Sequence, residues 1–189
     1  MSLINFVISY IIDPLLALAL FAVIARLLLQ LARADFRNPL CQAVVKVTNP
    51  LILPLRRILP PLGKLDTASV VAVLLVAAVG VAAHALNEEG IGAPFLGSGV
   101  HVGILWASAI AGEIFNMVLW TYFYAIILYA LLSMIAPSGY SPLQSVLSSL
   151  CEPVLRPLRR AIPSVAGLDL SPLWAGLIIQ VLIHLPLLF

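Results

Sequence analysis

The segment TASVVAVLLVAAVGVAAHAL, from Thr67 to Leu86, holds 20 residues without one Asp, Glu, Lys or Arg. As a helix it matches the hydrocarbon core of a bilayer, which takes about 20 mainly apolar residues to cross. Four mainly apolar stretches can cross in this way: between about Leu3 and Ala32, from about Ala68 to Leu86, between about Ile104 and Ala136, and from about Ser171 to Phe189. Lipid offers no partner to backbone N–H and C=O groups, so each stretch is expected to be a helix. The first and third exceed one span, so their ends must tilt or emerge. Composition agrees: the chain is 62% hydrophobic and 10% charged, against about one-quarter charged in soluble domains. The expected class is an all-α integral membrane protein with four transmembrane helices. The start is unlike a secretory signal, with a long apolar stretch and no Lys or Arg before Arg26, and is expected to be retained.

Charge placement sets the expected orientation. Arg26, Arg33, Arg37, Lys46, Arg56, Arg57 and Lys64 belong to the first loop or the helix end before it, and Arg156, Arg159 and Arg160 to the third loop. The loop between, NEEGIGAPFLGSGVH, carries Glu88 and Glu89 and no cation. The positive-inside rule puts loops one and three in the cytoplasm of a bacterial inner-membrane protein, with the acidic loop and both termini outside.

The phrase PLRRILPPLGKLD at 54–66 returns as PLRRAIPSVAGLD at 157–169. At this constant offset Pro50, Pro54, Leu55, Arg56, Arg57, Pro60, Leu65 and Asp66 meet identical residues. Their counterparts are Pro153, Pro157, Leu158, Arg159, Arg160, Pro163, Leu168 and Asp169, and Pro39-Leu40 likewise meets Pro142-Leu143. Residues 1–86 and 104–189 thus read as two helix–basic loop–helix units joined by the outward acidic loop 87–103. Both enter the membrane in the same direction, as parallel repeats about a pseudo-two-fold axis along the membrane normal. Prolines 50, 54 and 60 are expected to forbid one continuous helix, with Pro54 starting a short one. Each hairpin would then carry an amphipathic proline–arginine segment in the cytoplasmic headgroup layer. Asp66 and Asp169, at the starts of the next spans, can cap a helix or receive an arginine from the same loop.

The segments VVKVTNPLILPLRRILPPLGKLDTAS and LCEPVLRPLRRAIPSVAGLDLSP, with Arg26, Gln30 and DFRNPL, resemble the signatures of the YggT (YlmG) family over nearly the whole chain. That resemblance implies a small bacterial integral membrane protein with plastid relatives. It links the chain to envelope stress, osmotic or ion homeostasis, division-gene neighbourhoods and plastid cytochrome maturation, and it brings no shared enzymatic reaction. The second copy departs at Ala166 and Gly167, which replace Gly63 and Lys64, and at Arg156, which replaces Leu53.

Three roles are open for Arg56, Arg57, Arg159 and Arg160. They can hold the loops inside, bind anionic lipid, or dock a cytoplasmic or membrane protein partner through guanidinium forks. Asp13, Glu113 and Asn116 are the other candidates. Asp13 and Asn116 are repeat-equivalent, and Glu113 lies one turn from Asn116. They could line a polar path for an ion or small solute. Alternatively, Asp13 before Pro14 caps a helix at the outer interface. Gly80, Gly112 and Gly176 are expected to permit close helix packing. His84, His101 and His184 show no metal-ligand spacing, Cys41 and Cys151 are not repeat-equivalent, and no cofactor or metal is expected. There is no nucleophile–base pattern or phosphate-cradling glycine loop, so no enzyme is expected. The few arginines sit among leucines and prolines, so no nucleic-acid partner is expected. A homo-oligomer is compatible with these residues. The leading expectation is a membrane-organising protein acting through its basic loops on anionic lipid or protein, and the alternative is a transport component.

Overall fold

A computed structural model of the protein describes residues 8–60, 66–87, 100–135, 141–161 and 169–185. Every regular element among them is helical. A π-helical turn, Ile8–Ile12, leads into α1 (Asp13–Leu31), followed by α2 (Pro39–Ile58), α3 (Thr67–Asn87), α4 (Val100–Ile135), α5 (Pro142–Ala161) and α6 (Ser171–Ile183). Lys64, Leu65, Glu88, Glu89, Pro163 and Leu168 lie outside the described residues, as does the side chain of His101.

Three stretches, Tyr10–Leu31, Thr67–Ala85 and Val102–Ile135, are long and apolar enough to cross a bilayer, which is consistent with a membrane protein. The fourth expected span is shorter in its described part. Helix α6 has 13 residues, about 20 Å at the usual rise, against a core of about 30 Å. It yields at His184, two residues before Pro186, whose ring disfavours helical geometry at Leu185. Residues 186–189 of that stretch lie outside the described residues. The outward faces are apolar: Leu15 and Leu18 of α1, Leu75 and Val79 of α3, and Leu173 and Val181 of α6 are all more than half exposed. Water would penalise such a surface, whereas hydrocarbon matches it.

The core runs through the middle of the helix set. Leu20, Val23 and Ile24 of α1 meet Ile52 of α2, Ile126 of α4 and Leu155 of α5 in one buried cluster. Helices α1, α2 and α3 pack on one another, as do α4, α5 and α6. The two sets are joined by contacts of α4 with α1 and α3, and of α5 with α1 and α2.

Two expectations are corrected here. Pro50 and Pro54 do not break the chain into a short helix beginning at Pro54, because α2 is one 20-residue helix with both prolines inside. Pro153 and Pro157 sit the same way inside α5. The i, i+4 spacing stacks each pair on a single, exposed stripe. The two lost hydrogen bonds, to the carbonyls of Lys46 and Pro50 in α2, are thereby confined to that stripe, and the opposite face keeps its ladder. The second correction concerns glycine. A Cβ added at Gly80 or Gly176 would meet nothing within 4 Å. The small residues buried on α3 are instead Ala68, Ser69, Ala72 and Ala77, which let neighbouring backbones approach.

Helices α2 and α5 start alike. The Asn38 side chain accepts the Leu40 N–H at 2.9 Å, and the Ser141 hydroxyl, 103 residues on, accepts the Gln144 N–H at 3.1 Å. These are N-caps, each satisfying a first-turn donor. Asn38 also donates to the Pro142 carbonyl at 2.7 Å, which ties the two helix starts together.

Candidate membrane-surface site

The last turns of α2 and α5 each present two arginines, and the pair divides the same way in both. Arg56 is clasped by Asp66, with Nη2 to Oδ2 at 2.5 Å and Nε to Oδ2 at 3.2 Å. Arg159 is clasped by Asp169, Nε to Oδ2 at 2.7 Å. Each clasp ties the end of a proline-bearing helix to the start of the helix after it. Asp66 also accepts the Ser69 hydroxyl at 2.7 Å, and Asp169 accepts the Ser171 N–H at 3.0 Å, so each carboxylate also steadies the first turn of the next helix. Thr67 adds a bond to the Pro60 carbonyl at 2.8 Å. Arg57 and Arg160, the second member of each pair, are exposed and make no ion pair among the described residues.

Burial discourages charge on Asp66, but hydrogen bonds from Arg56 and Ser69 outweigh it and hold the carboxyl below its ordinary range. Burial opposes charge on Asp169 in the same way, and its bonds from Ser171 and Arg159 again prevail, lowering its pKa. For Arg159, burial is overcome by bonds to Asp169 and Tyr129, which raise its pKa and keep the guanidinium ionised.

The second clasp belongs to a larger network. Arg159 also reaches Glu152 at 3.0 Å and the Tyr129 hydroxyl at 3.1 Å, and Glu152 lies 3.6 Å from Arg156. Sequence reasoning missed Glu152 and Tyr129. It counted Arg26 among the basic residues of the first loop and the helix end before it, whereas Arg26 is 2% exposed and donates to Thr48 Oγ1 at 2.8 Å and Asn49 Oδ1 at 3.1 Å. The signal lay in the differences between halves: at the same offset, Tyr129 replaces Arg26 and Glu152 replaces Asn49. Cys41 and Cys151 are free and buried. Burial pushes the Cys151 thiol up to about 12, against the opposing field of Arg159.

The second candidate group is gathered around Glu113. Asp13 and Glu113 border one cavity of about 20 Å³ together with His84, room for about one water. Glu113 also borders a groove of about 190 Å³ with Asn116 and Leu182. Asp13 is not a helix cap, which corrects that alternative. The π-helical turn Ile8–Ile12 precedes it, the cap position falls to Ile12, and no side chain caps that end. Asp13 Oδ2 instead lies 3.7 Å from His84 Nδ1, a neighbour the sequence did not suggest. Among the described residues no three His, Cys, Asp or Glu side chains are grouped to hold a metal ion.

The family model described as CCB3/YggT matches residues 5–86 and 108–188, two segments whose first positions differ by the offset of the proline–arginine phrases. An uncharacterized protein of Pseudomonas aeruginosa, PA0392, is 38% identical over 92% of this chain and 84% of its own length. An uncharacterized protein of Vibrio alginolyticus, named for its place in the proC 3' region, is 36% identical over 87% of this chain and 85% of its own. The uncharacterized protein YggT of Escherichia coli K12 is 31% identical over 92% of this chain and 86% of its own. No solved structure matches the chain.

Proposed function

The chain belongs to the CCB3/YggT family, and from that premise we propose that it is a non-enzymatic, membrane-organising protein whose two basic segments contact anionic lipid. The observation that carries this reading is the split within each arginine pair. Arg56 and Arg159 are held by Asp66 and Asp169, while Arg57 and Arg160 stand exposed at the same position of α2 and α5. On α2 the exposed Arg57 guanidinium beside exposed Leu53 and Ile58 suits a headgroup layer, where apolar side chains enter lipid and cations meet phosphate. In this reading the chain is an inner-membrane protein of four spans arranged as two parallel repeats. Its basic segments face the cytoplasm, and its termini and acidic loop face outward. A link to envelope or osmotic stress belongs to the same reading, through the family. A protein partner would use the same guanidinium forks, and photo-crosslinking separates it from lipid. With a photoreactive residue at Ile58 in native membranes, the expected adducts are anionic phospholipids; one recurring protein adduct without lipid would replace lipid by a protein partner.

A second reading, an ion or small-solute transport component, draws on the placement of Asp13 and Glu113 at one cavity. A cavity of about one water favours a local hydrogen-bonded group over a path, since a path needs ionisable groups along its length. Changing Asp13→Asn and Glu113→Gln together is therefore expected to leave ion flux in reconstituted vesicles unchanged. Parent vesicles that conduct and double-amide vesicles that do not would put transport first.

A further inference from the structure

The two halves differ in charge where α2 meets the end of α1. Arg26 is buried, yet none of its partners carries charge: Thr48 and Asn49 accept through side-chain oxygens, and the Val45 carbonyl lies at 3.4 Å. Its Nε is buried without a partner among the described residues, and so is Oε1 of Gln30. Both residues border an open groove of about 550 Å³, together with Lys46, Asn49 and Arg56. Three cations therefore line one groove. Arg56 is already committed to Asp66, while Lys46 is exposed and makes no ion pair among the described residues. Asp66 lies within electrostatic range of Arg26 but does not bond it, and a buried cation with no bonded carboxylate is costly unless something neutralises it.

The second half shows how such a place is filled from within. At the same offset Tyr129 stands for Arg26, Ser149 for Lys46 and Glu152 for Asn49. Glu152 pairs with Arg159 at 3.0 Å, and Tyr129 accepts from Arg159 at 3.1 Å. The second half thus has fewer cations at this place and a carboxylate of its own. The first half has more cations, an amide in the position of that carboxylate, and open space.

We propose that the groove bordered by Arg26, Lys46 and Asn49 is a phosphate site, taking a phosphate accompanied by a hydroxyl. The phosphate oxygens accept from Arg26 Nε and the Lys46 ammonium, the charge-assisted contacts both groups lack. The hydroxyl donates to Gln30 Oε1, a buried acceptor with no partner among the described residues. Hydrogen phosphate carries both functions, and so does a glycerol phosphodiester headgroup. The groove is separate from Arg57 and Arg160, so its occupancy is independent of their contact with a lipid surface.

The test uses the full chain purified in neutral detergent, titrated separately with inorganic phosphate and with micelles doped with phosphatidylglycerol, phosphatidylcholine being the control. Asn49→Glu places a carboxylate where Glu152 stands in the other half, and Lys46→Gln removes an exposed cation with little demand on folding. Each is expected to weaken phosphate binding by about tenfold, the scale of one charge-assisted hydrogen bond. The double variant Arg57→Gln, Arg160→Gln is expected to bind inorganic phosphate like the parent. Loss seen with both probes means that free phosphate and headgroup share the site. Loss seen with phosphatidylglycerol alone assigns the site to the headgroup. Unchanged affinity in folded Asn49→Glu overturns the proposal, as does a parent that binds neither probe. If Asn49→Glu fails to fold, Lys46→Gln decides: unchanged affinity overturns the proposal.

Discussion

Exchanging Arg57 and Arg160 together for Gln is expected to lower the affinity of the detergent-purified chain for phosphatidylglycerol by roughly thirtyfold. Each basic residue near an anionic surface contributes about 1 kcal/mol, so two contribute about 2 kcal/mol. The salt dependence should fall with the affinity, because screening acts on these exposed charges. Stability should hardly change, since neither side chain has an ion-pair partner among the described residues and surface substitutions of this kind stay within about 0.5 kcal/mol. Equal affinity of parent and variant, measured by lipid retention in native mass spectrometry across a phosphatidylglycerol series, would remove lipid contact from these two residues. The same exchange at Arg56 and Arg159 should behave oppositely, with a smaller change in lipid affinity and a larger one in stability.

The second large effect lies in that clasp. Arg159→Gln removes the partner of Asp169, Glu152 and Tyr129 at once, leaving two carboxylates without their shared cation. The expected cost is about 2 kcal/mol, discounted from a fully buried network because the Arg159 side chain is one-third exposed. In thermal melts of the detergent-purified chain this is a fall of roughly 5 °C. Asp66 and Asp169 both titrate below the ordinary carboxylate range. Their contribution is therefore fully present above about pH 4, the ordinary carboxylate value, and is lost as pH falls through the lower folded values. Between pH 5 and pH 3 the parent should lose more stability than a chain carrying Arg56→Gln and Arg159→Gln, which has no clasp left to release. Parallel acid profiles for the two would show that the clasps contribute nothing.

Much of this arrangement is visible in the sequence, and the rest is hidden for definite physical reasons. The apolar stretches report helices because lipid and water sort side chains coarsely, and a 20-residue run suffices for that. The repeated phrase places α2 and α5 in register, and their ends at 39 and 142, and at 58 and 161, follow it. The continuity of α2 through Pro50 and Pro54 is not visible from local rules. A proline's cost depends on which face loses its hydrogen bonds, and that is decided by tertiary packing. Arg26 is misread for a similar reason: counting charges for topology treats every arginine as a surface group, while Thr48 and Asn49 draw this one inward. The partition of each Arg-Arg pair also needs three dimensions, because Asp66 and Asp169 reach back ten residues to the first arginine and leave the second outside.

The proposed common role of α2 and α5 requires Arg57 and Arg160 to face the same side of the membrane. Single cysteines at Arg57, Arg160 and, on the acidic loop, Glu88 can be challenged with a membrane-impermeant maleimide in intact cells and in inverted inner-membrane vesicles. The buried Cys41 and Cys151 give a low background. The expected result is labelling at 57 and 160 only in inverted vesicles, and at 88 only in intact cells. Labelling of 57 and 160 from opposite sides would contradict a shared basic surface.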